Sequence, residues 1–207
     1  MQKKFLLFDF DGVLTDTFLS TYAICQLSRP WITEEEYRDL FMGNIYEELE
    51  SQNKVETRPV IPQSNEEYFE KYFELTKNTG VISEMRSVVE TLTETHELFI
   101  ISSSYNYIIE EMLGREKMLQ HFRKILGADV EINKAKKIAS VFSEYNASAE
   151  SAIFITDTVG DVKEARTAGV DSIAVTWGNH GADRLQTVNP FAIVDTPTEL
   201  LQIIQSL

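Results

Sequence analysis

The chain is poor in cysteine, poor in positive charge and without any long apolar run. Cys25 is the one cysteine in 207 residues, so no internal disulfide can form. That composition fits a reducing compartment, and the expected location is the cytoplasm. Lysine and arginine number 19 against 33 aspartates and glutamates, a net charge of −14. So acidic a surface repels nucleic acid and anionic membrane, because both bind through Lys and Arg. Neither is expected as a partner. No stretch approaches the roughly 18 apolar residues that a spanning helix needs. The run Phe5–Phe8 after Met1-Gln2-Lys3-Lys4 is cut off by Asp9, too early for a secretory leader. The three histidines, His96, His121 and His180, match no metal-binding spacing and receive no role.

Hydrophobic residues at 43% and charged residues at 25% are ordinary for a globular protein. The length suits one α/β core plus an insertion. Four apolar runs stop at polar residues: Phe5–Phe8 at Asp9, Leu98–Ile101 at Ser102, Ala152–Ile155 at Thr156-Asp157, and Ser172–Val175 at Thr176. A weaker fifth, Phe191–Val194, stops at Asp195. Runs of this kind predict buried strands of a parallel sheet. Helical patterns lie between them, at Tyr107–Leu113 before Gly114, at Lys134–Tyr145, and at Asp161–Ala168 before Gly169. The alternation predicts an α/β, doubly wound parallel sheet with a Rossmann-like core. One stretch departs from it. Residues 16–80 hold no good strand, and Thr33-Glu34-Glu35-Glu36 and Asn65-Glu66-Glu67 look like helix starts on either side of a Thr57–Ser64 loop. The expected division is a core of residues 1–15 and 81–207 with a helical insertion at 16–80.

In an open α/β sheet, ligands bind beyond the carboxyl ends of the strands. The polar residues closing the runs are therefore candidates to meet. Asp9-Phe10-Asp11-Gly12 places two carboxylates at the end of a strand. By itself this is ordinary Asp-Gly turn chemistry; alternatively one carboxylate attacks a phosphorus atom while the second handles protons. Ser102-Ser103-Ser104-Tyr105-Asn106 caps a helix and also offers hydroxyl and N–H groups to an anion. Lys134, Lys136 and Lys137 form a basic cluster. The first can reach a phosphate as a point charge, and the other two are assigned to a solvated helix face. Asp157 closes a strand where oxygen ligation of a hard cation is possible. Asp161 falls in the next helix's first turn, where it either steadies the helix dipole or supports that cation.

The order and placement of these segments resemble the haloacid dehalogenase superfamily, in the phosphoglycolate-phosphatase-like branch with a small helical cap. Asp9-Phe10-Asp11-Gly12-Val13-Leu14 is similar to its first motif and Ile100-Ile101-Ser102-Ser103 to its second. Lys134 is similar to the third, and Asp157-Thr158-Val159-Gly160-Asp161 to the fourth. Val175-Thr176-Trp177-Gly178 resembles the segment that follows. Two features depart: Thr156 stands where relatives often have Gly, and no proline follows Lys134. The resemblance implies a magnesium-dependent phosphatase acting on a small phosphorylated metabolite. Asp9 would be the nucleophile and Asp11 the general acid/base. Ser102, Ser103 and Lys134 would bind phosphate. Mg2+ would be held by Asp9, the Asp11 carbonyl and Asp157, with Asp161 and Asn106 in support. The insertion becomes a cap whose cations Arg38, Lys54, Arg58 and Lys71 are candidates for substrate contact, although solvent-exposed charge is the ordinary role for each. Trp31, Phe69, Tyr72 and Phe73 are expected to form cap core. A monomer or small homo-oligomer is expected. A sugar-phosphate mutase on the same site, or a non-catalytic binding protein on the same scaffold, are the rival readings.

Overall fold

The computed structural model describes residues 4–207. The part of the leader reading that rests on Met1, Gln2 and Lys3 lies outside them. Six parallel strands form one sheet in the order β3-β2-β1-β4-β5-β6. They are β1 (Phe5–Phe8), β2 (Glu97–Ile101), β3 (Phe122–Leu126), β4 (Ala152–Thr156), β5 (Ser172–Val175) and β6 (Ala192–Val194). Five of the six coincide with the runs expected from sequence. The sixth, β3, is an edge strand, and its Phe-Arg-Lys-Ile-Leu sequence puts two cations inside the apolar run. Edge strands carry such charges because half their surface meets solvent.

The sheet is buried on both faces by the period-two alternation of its side chains. Leu6, Phe8, Leu98, Ile100, Ile153 and Ile155 face one layer. Helices α5 (Ser83–Leu92), α6 (Asn106–Arg115) and α10 (Pro197–Gln205) cover that layer. Phe5, Leu7, Phe99, Ile101 and Phe154 face the other, under α7 (Lys134–Tyr145) and α8 (Val159–Thr167). Each fully buried side chain of this size contributes about 1.5–3 kcal/mol. α6 runs one residue past Gly114, where the sequence suggested a stop. A four-residue helix, α9 (Ala182–Leu185), precedes β6.

Between β1 and α5 the chain forms α1 (Phe18–Ser28), α2 (Glu34–Asp39), α3 (Ile45–Val55) and α4 (Asn65–Thr76). The starts of α2 and α4 carry full capping boxes, Thr33 with Glu36 and Ser64 with Glu67. Each box satisfies N–H groups that a helix end leaves free. The two chain crossings on either side of this segment touch. Thr15 and Val81 form an isolated antiparallel bridge, and the Ile82 N–H donates to the Leu14 carbonyl at 2.9 Å. The helical segment rests on the sheet's carboxyl end through Gly160 N–H to Phe41 carbonyl (2.9 Å), Tyr46 hydroxyl to Ser103 carbonyl (2.8 Å) and Asn44 amide to Glu164 (3.1 Å). Among the described residues no helix is long and apolar enough to cross a membrane.

Candidate active site

β1 lies at the centre of the sheet, with β2 on one side and β4 on the other. Asp9, Ser102 and Asp157 each follow one of these three strands, so parallel register alone brings them together. The next helix on the β3 side, α7, starts with Lys134. Its ammonium donates to Asp9 Oδ2 and to Asp161 Oδ2, both at 2.7 Å. Phe10 N–H donates to the other Asp9 oxygen at 2.8 Å, and Thr156 hydroxyl to Asp161 Oδ2 at 2.7 Å. Thr156, the departure from the usual glycine, thus helps to fix Asp161.

Burial sets the electrostatics. It pushes the Asp9 carboxyl well above the ordinary carboxylate range, against the pull of Lys134. Burial also works against the Lys134 charge, but Asp161 and Asp9 more than offset it and the ammonium is held above its usual pKa. Asp161 is held low: burial opposes its charge, and the attraction of Lys134 together with side-chain hydrogen bonds to Asp9, Lys134 and Thr156 outweighs that. Asp157 is pushed up to about 7, mainly by burial, although the Asn179 N–H donating to it acts in the other direction.

Asp9, Asp157 and Asp161 are buried and offer oxygens within 4.8 Å of one another. The Asn179 N–H donates to Asp157 Oδ2 at 2.6 Å, whereas Asp157 Oδ1 is buried without a hydrogen-bond partner among the described residues. Asn179 Oδ1 is in the same condition. Buried oxygens with no donor are costly, and a set of anionic oxygens with one lone acceptor suits a hard divalent cation. Glycines make the space around Asp157: a Cβ at Gly12 would lie 2.1 Å from Oδ2, and one at Gly178 2.3 Å from it. The donor set therefore fits a magnesium-like ion.

Asp11 turns elsewhere. Its Oδ1 accepts the hydroxyls of Thr17 (2.6 Å) and Tyr72 (2.7 Å), and its Oδ2 that of Ser104 (2.6 Å). Ser102 Oγ accepts the Ser104 N–H at 2.9 Å, which tightens the turn after β2. Asp9, Asp11, Ser102, Ser103, Lys134, Asp157 and Asp161 all line one cavity of about 680 Å3. Asn106 does not line it. Its side chain accepts the Gly127 N–H at 2.6 Å and ties the start of α6 to the loop after β3.

Several residues carry roles that sequence reasoning missed. Lys137 is buried rather than solvated, and its ammonium donates to the Ser102 carbonyl at 2.5 Å. The signal was in the spacing: Lys134, Lys137, Ile138 and Val141 form the inward stripe of α7. Lys136 is exposed as expected. Tyr72 packs in the core and also reaches Asp11, while Phe69 lines the cavity. His180 is buried. Its Nδ1 accepts the Val159 N–H at 3.0 Å and its Nε2 pairs with the Arg38 carbonyl at 2.9 Å. Of the cap cations considered, Arg38 pairs with Glu34, Lys54 with Glu50, Arg58 with Glu36 and Glu56, and Lys71 with Glu74. None of these four lines the cavity; Arg29, absent from that set, does.

The profile of the haloacid dehalogenase-like hydrolases matches residues 6–175, and the chain belongs to that family. A phosphoglycolate phosphatase from Vibrio parahaemolyticus is 23% identical over 219 residues, covering 97% of this chain and 96% of the relative. A predicted phosphatase from Clostridium acetobutylicum shares the fold with a TM-score of 0.78 at 21% identity, over the full length of both chains. A CbbY mutant from Rhodobacter sphaeroides, solved with xylulose-(1,5)bisphosphate, gives a TM-score of 0.79 at 16% identity, covering 97% of this chain and 96% of that one. The family and the phosphoglycolate phosphatase relatives indicate a phosphatase, a phosphoric monoester hydrolase.

Proposed function

We propose that the chain is a magnesium-dependent phosphatase that hydrolyses small phosphomonoesters through an aspartyl-phosphate on Asp9. The observation that carries this reading is the buried Asp9 carboxylate held by Lys134 beside Asp157, whose Oδ1 has no donor. Asp9 attacks phosphorus, the new O–P bond forms, and the ester P–O bond breaks. The leaving oxygen takes a proton from Asp11. Asp11 then removes a proton from water, which attacks the same phosphorus and releases inorganic phosphate from Asp9. Thr17, Tyr72 and Ser104 orient Asp11 for both steps. Lys134 uses two of its three N–H donors on Asp9 and Asp161, and the third is available to a phosphoryl oxygen. Ser102 and the Ser103 amide complete the phosphate grip. Asp9, the Asp11 carbonyl and Asp157 would hold magnesium, which would supply positive charge against the phosphoryl oxygens.

The helical segment 16–80 acts as a lid over this site, hinged where Thr15 and Val81 meet. The xylulose-(1,5)bisphosphate bound to the CbbY mutant supports a small phosphorylated metabolite as substrate class. The lone thiol, Cys25, is consistent with a cytoplasmic enzyme. Phosphate release over a panel of metabolites, with and without magnesium, tests the reading. Turnover is expected only with the metal, and Asp9→Asn is expected to abolish it with an unchanged circular dichroism spectrum. Normal turnover by Asp9→Asn would overturn the nucleophile assignment.

A further inference from the structure

The cavity extends well beyond the reacting groups. Thr17, Phe18, Thr21, Cys25, Ser28 and Arg29 all line it. Apart from two adjacent pairs they are spaced three or four apart, which places them on one face of α1. At 1.5 Å per residue, the steps from Thr17 to Arg29 cover about 18 Å. Thr17 donates to Asp11, so its end of the helix is the phosphate end. Arg29 marks the other.

Arg29 is 7% exposed. Its Nη2 donates to Asn53 Oδ1 at 2.7 Å and its Nη1 to Ser28 Oγ at 3.3 Å. Both partners are neutral, and further N–H donors of its five remain. No ion pair among the described residues includes it, although the chain carries a net charge of −14. Lys134, the other cation lining the cavity, is matched by Asp9 and Asp161. The Cys25 thiol nearby supplies no counter-charge, since burial pushes its pKa up against the pull of Arg29. A buried guanidinium without an anion is costly unless a ligand brings one. Apolar and aromatic side chains form the larger part of its lining, with Phe18, Leu40, Phe41, Leu49 and Phe69 among them.

We propose that the substrate is a two-ended anion: a phosphomonoester whose far end carries a second oxyanion group, bound by Arg29 across an apolar body longer than that of phosphoglycolate. A planar guanidinium takes a carboxylate or a phosphate through paired N–H donors, so the shared chemistry is an oxyanion with two acceptor oxygens. A two-carbon acid spans a few ångströms and cannot reach from Asp9 to Arg29. This assignment rests on the phosphatase reading of the Asp9 end.

The test pairs ω-carboxyalkyl phosphates, from phosphoglycolate upward in chain length, with alkyl phosphates of equal length. A bisphosphate series distinguishes the second phosphate from the carboxylate. In the wild-type enzyme kcat/KM is expected to peak at an acid or bisphosphate longer than phosphoglycolate, with the doubly anionic member preferred over its alkyl counterpart by roughly tenfold or more. Arg29→Gln, which removes the charge and keeps an amide for Asn53, is expected to erase that preference. Arg29→Lys is expected to retain part of it. A peak at phosphoglycolate, or an equal preference in wild type and Arg29→Gln, overturns the proposal while leaving the phosphatase reading intact.

Binding is read separately, by calorimetry on the wild-type protein with ω-phosphonoalkanoates from about six to twelve carbons and with alkylphosphonates of equal length, none of which can be hydrolysed. Tighter binding of the former by roughly tenfold supports the Arg29 site even if every ester resists turnover, an outcome that would instead remove the phosphatase reading. Equal affinities overturn the Arg29 site, and this comparison needs no variant to fold.

Discussion

Asp157 is held from one side only: its Oδ2 takes the Asn179 N–H and its Oδ1 takes nothing from the described residues. Gly178 keeps the space beside it open, since a Cβ there would fall 2.3 Å from Oδ2 and 2.4 Å from the Asp157 Cβ. Gly178→Ala should therefore displace the carboxylate while leaving the sheet intact. The expected result is loss of most of the melting-temperature gain on adding magnesium, together with a fall in kcat of tenfold or more, read by calorimetry and phosphate release. An undiminished magnesium effect would contradict the role given to this glycine. Lys137 permits a second test. Burial, and then the neighbouring Lys134, pulls its pKa from 10.5 down to about 8. A lysine lowered in the folded state costs stability below its folded pKa, and the cost is relieved as pH rises from about 8 to 10.5. Lys137→Met removes that dependence. The stability of the wild type relative to Lys137→Met should therefore rise across this window in paired urea titrations. A constant difference would mean that the ammonium pays no burial penalty.

The elements around Asp11 come from both sides of the site. Thr17 precedes α1, Tyr72 belongs to α4, and Ser104 precedes α6. Two of its three hydroxyl donors thus arrive from the helical segment, which couples the seating of that segment to the orientation of the proposed general acid/base. Tyr72→Phe removes one hydrogen bond to Asp11 and little apolar packing. It should lower kcat by roughly tenfold, the usual worth of a hydrogen bond to a charged group, with a smaller change in KM. A change confined to KM would assign Tyr72 to substrate binding instead. Strand β3 illustrates what apolar runs can hide. Phe122, Ile125 and Leu126 are buried, but Arg123 and Lys124 point to solvent and bond Glu97 and Glu144. The run was broken because the strand lies at the sheet's edge, a fact of topology.

For the molecule as a whole, the excess of acids becomes useful at one place. Buried carboxylates concentrate negative charge where the proposed cation would bind, and burial holds Asp157 up to about 7. The sign follows directly. A carboxyl whose folded pKa is raised costs stability as pH climbs from 3.8 toward about 7, and an ion that binds only the carboxylate must displace the proton below that pH. The melting-temperature gain from a fixed magnesium concentration should accordingly increase as pH rises toward about 7 and then level off. A gain that is flat with pH would show that Asp157 does not ligate the ion.

Strand ends were legible because a buried parallel strand must be apolar until it leaves the sheet, so Asp9, Ser102 and Asp157 stand out as the residues that end each run. The capping boxes of α2 and α4 were legible for a similar local reason: a helix end must satisfy its own N–H groups. Arg29, Lys137, Tyr72 and Asn179 were not. Each is an ordinary residue in its own neighbourhood, and its role comes from partners far away in sequence. Arg29 has no counter-anion among the described residues, Lys137 reaches the carbonyl of Ser102, Tyr72 reaches Asp11, and Asn179 donates to Asp157. Periodicity and composition report which face of an element is buried. They do not report which charge is left unpaired once distant elements pack together, and in this protein that pairing separates the site's machinery from its surroundings.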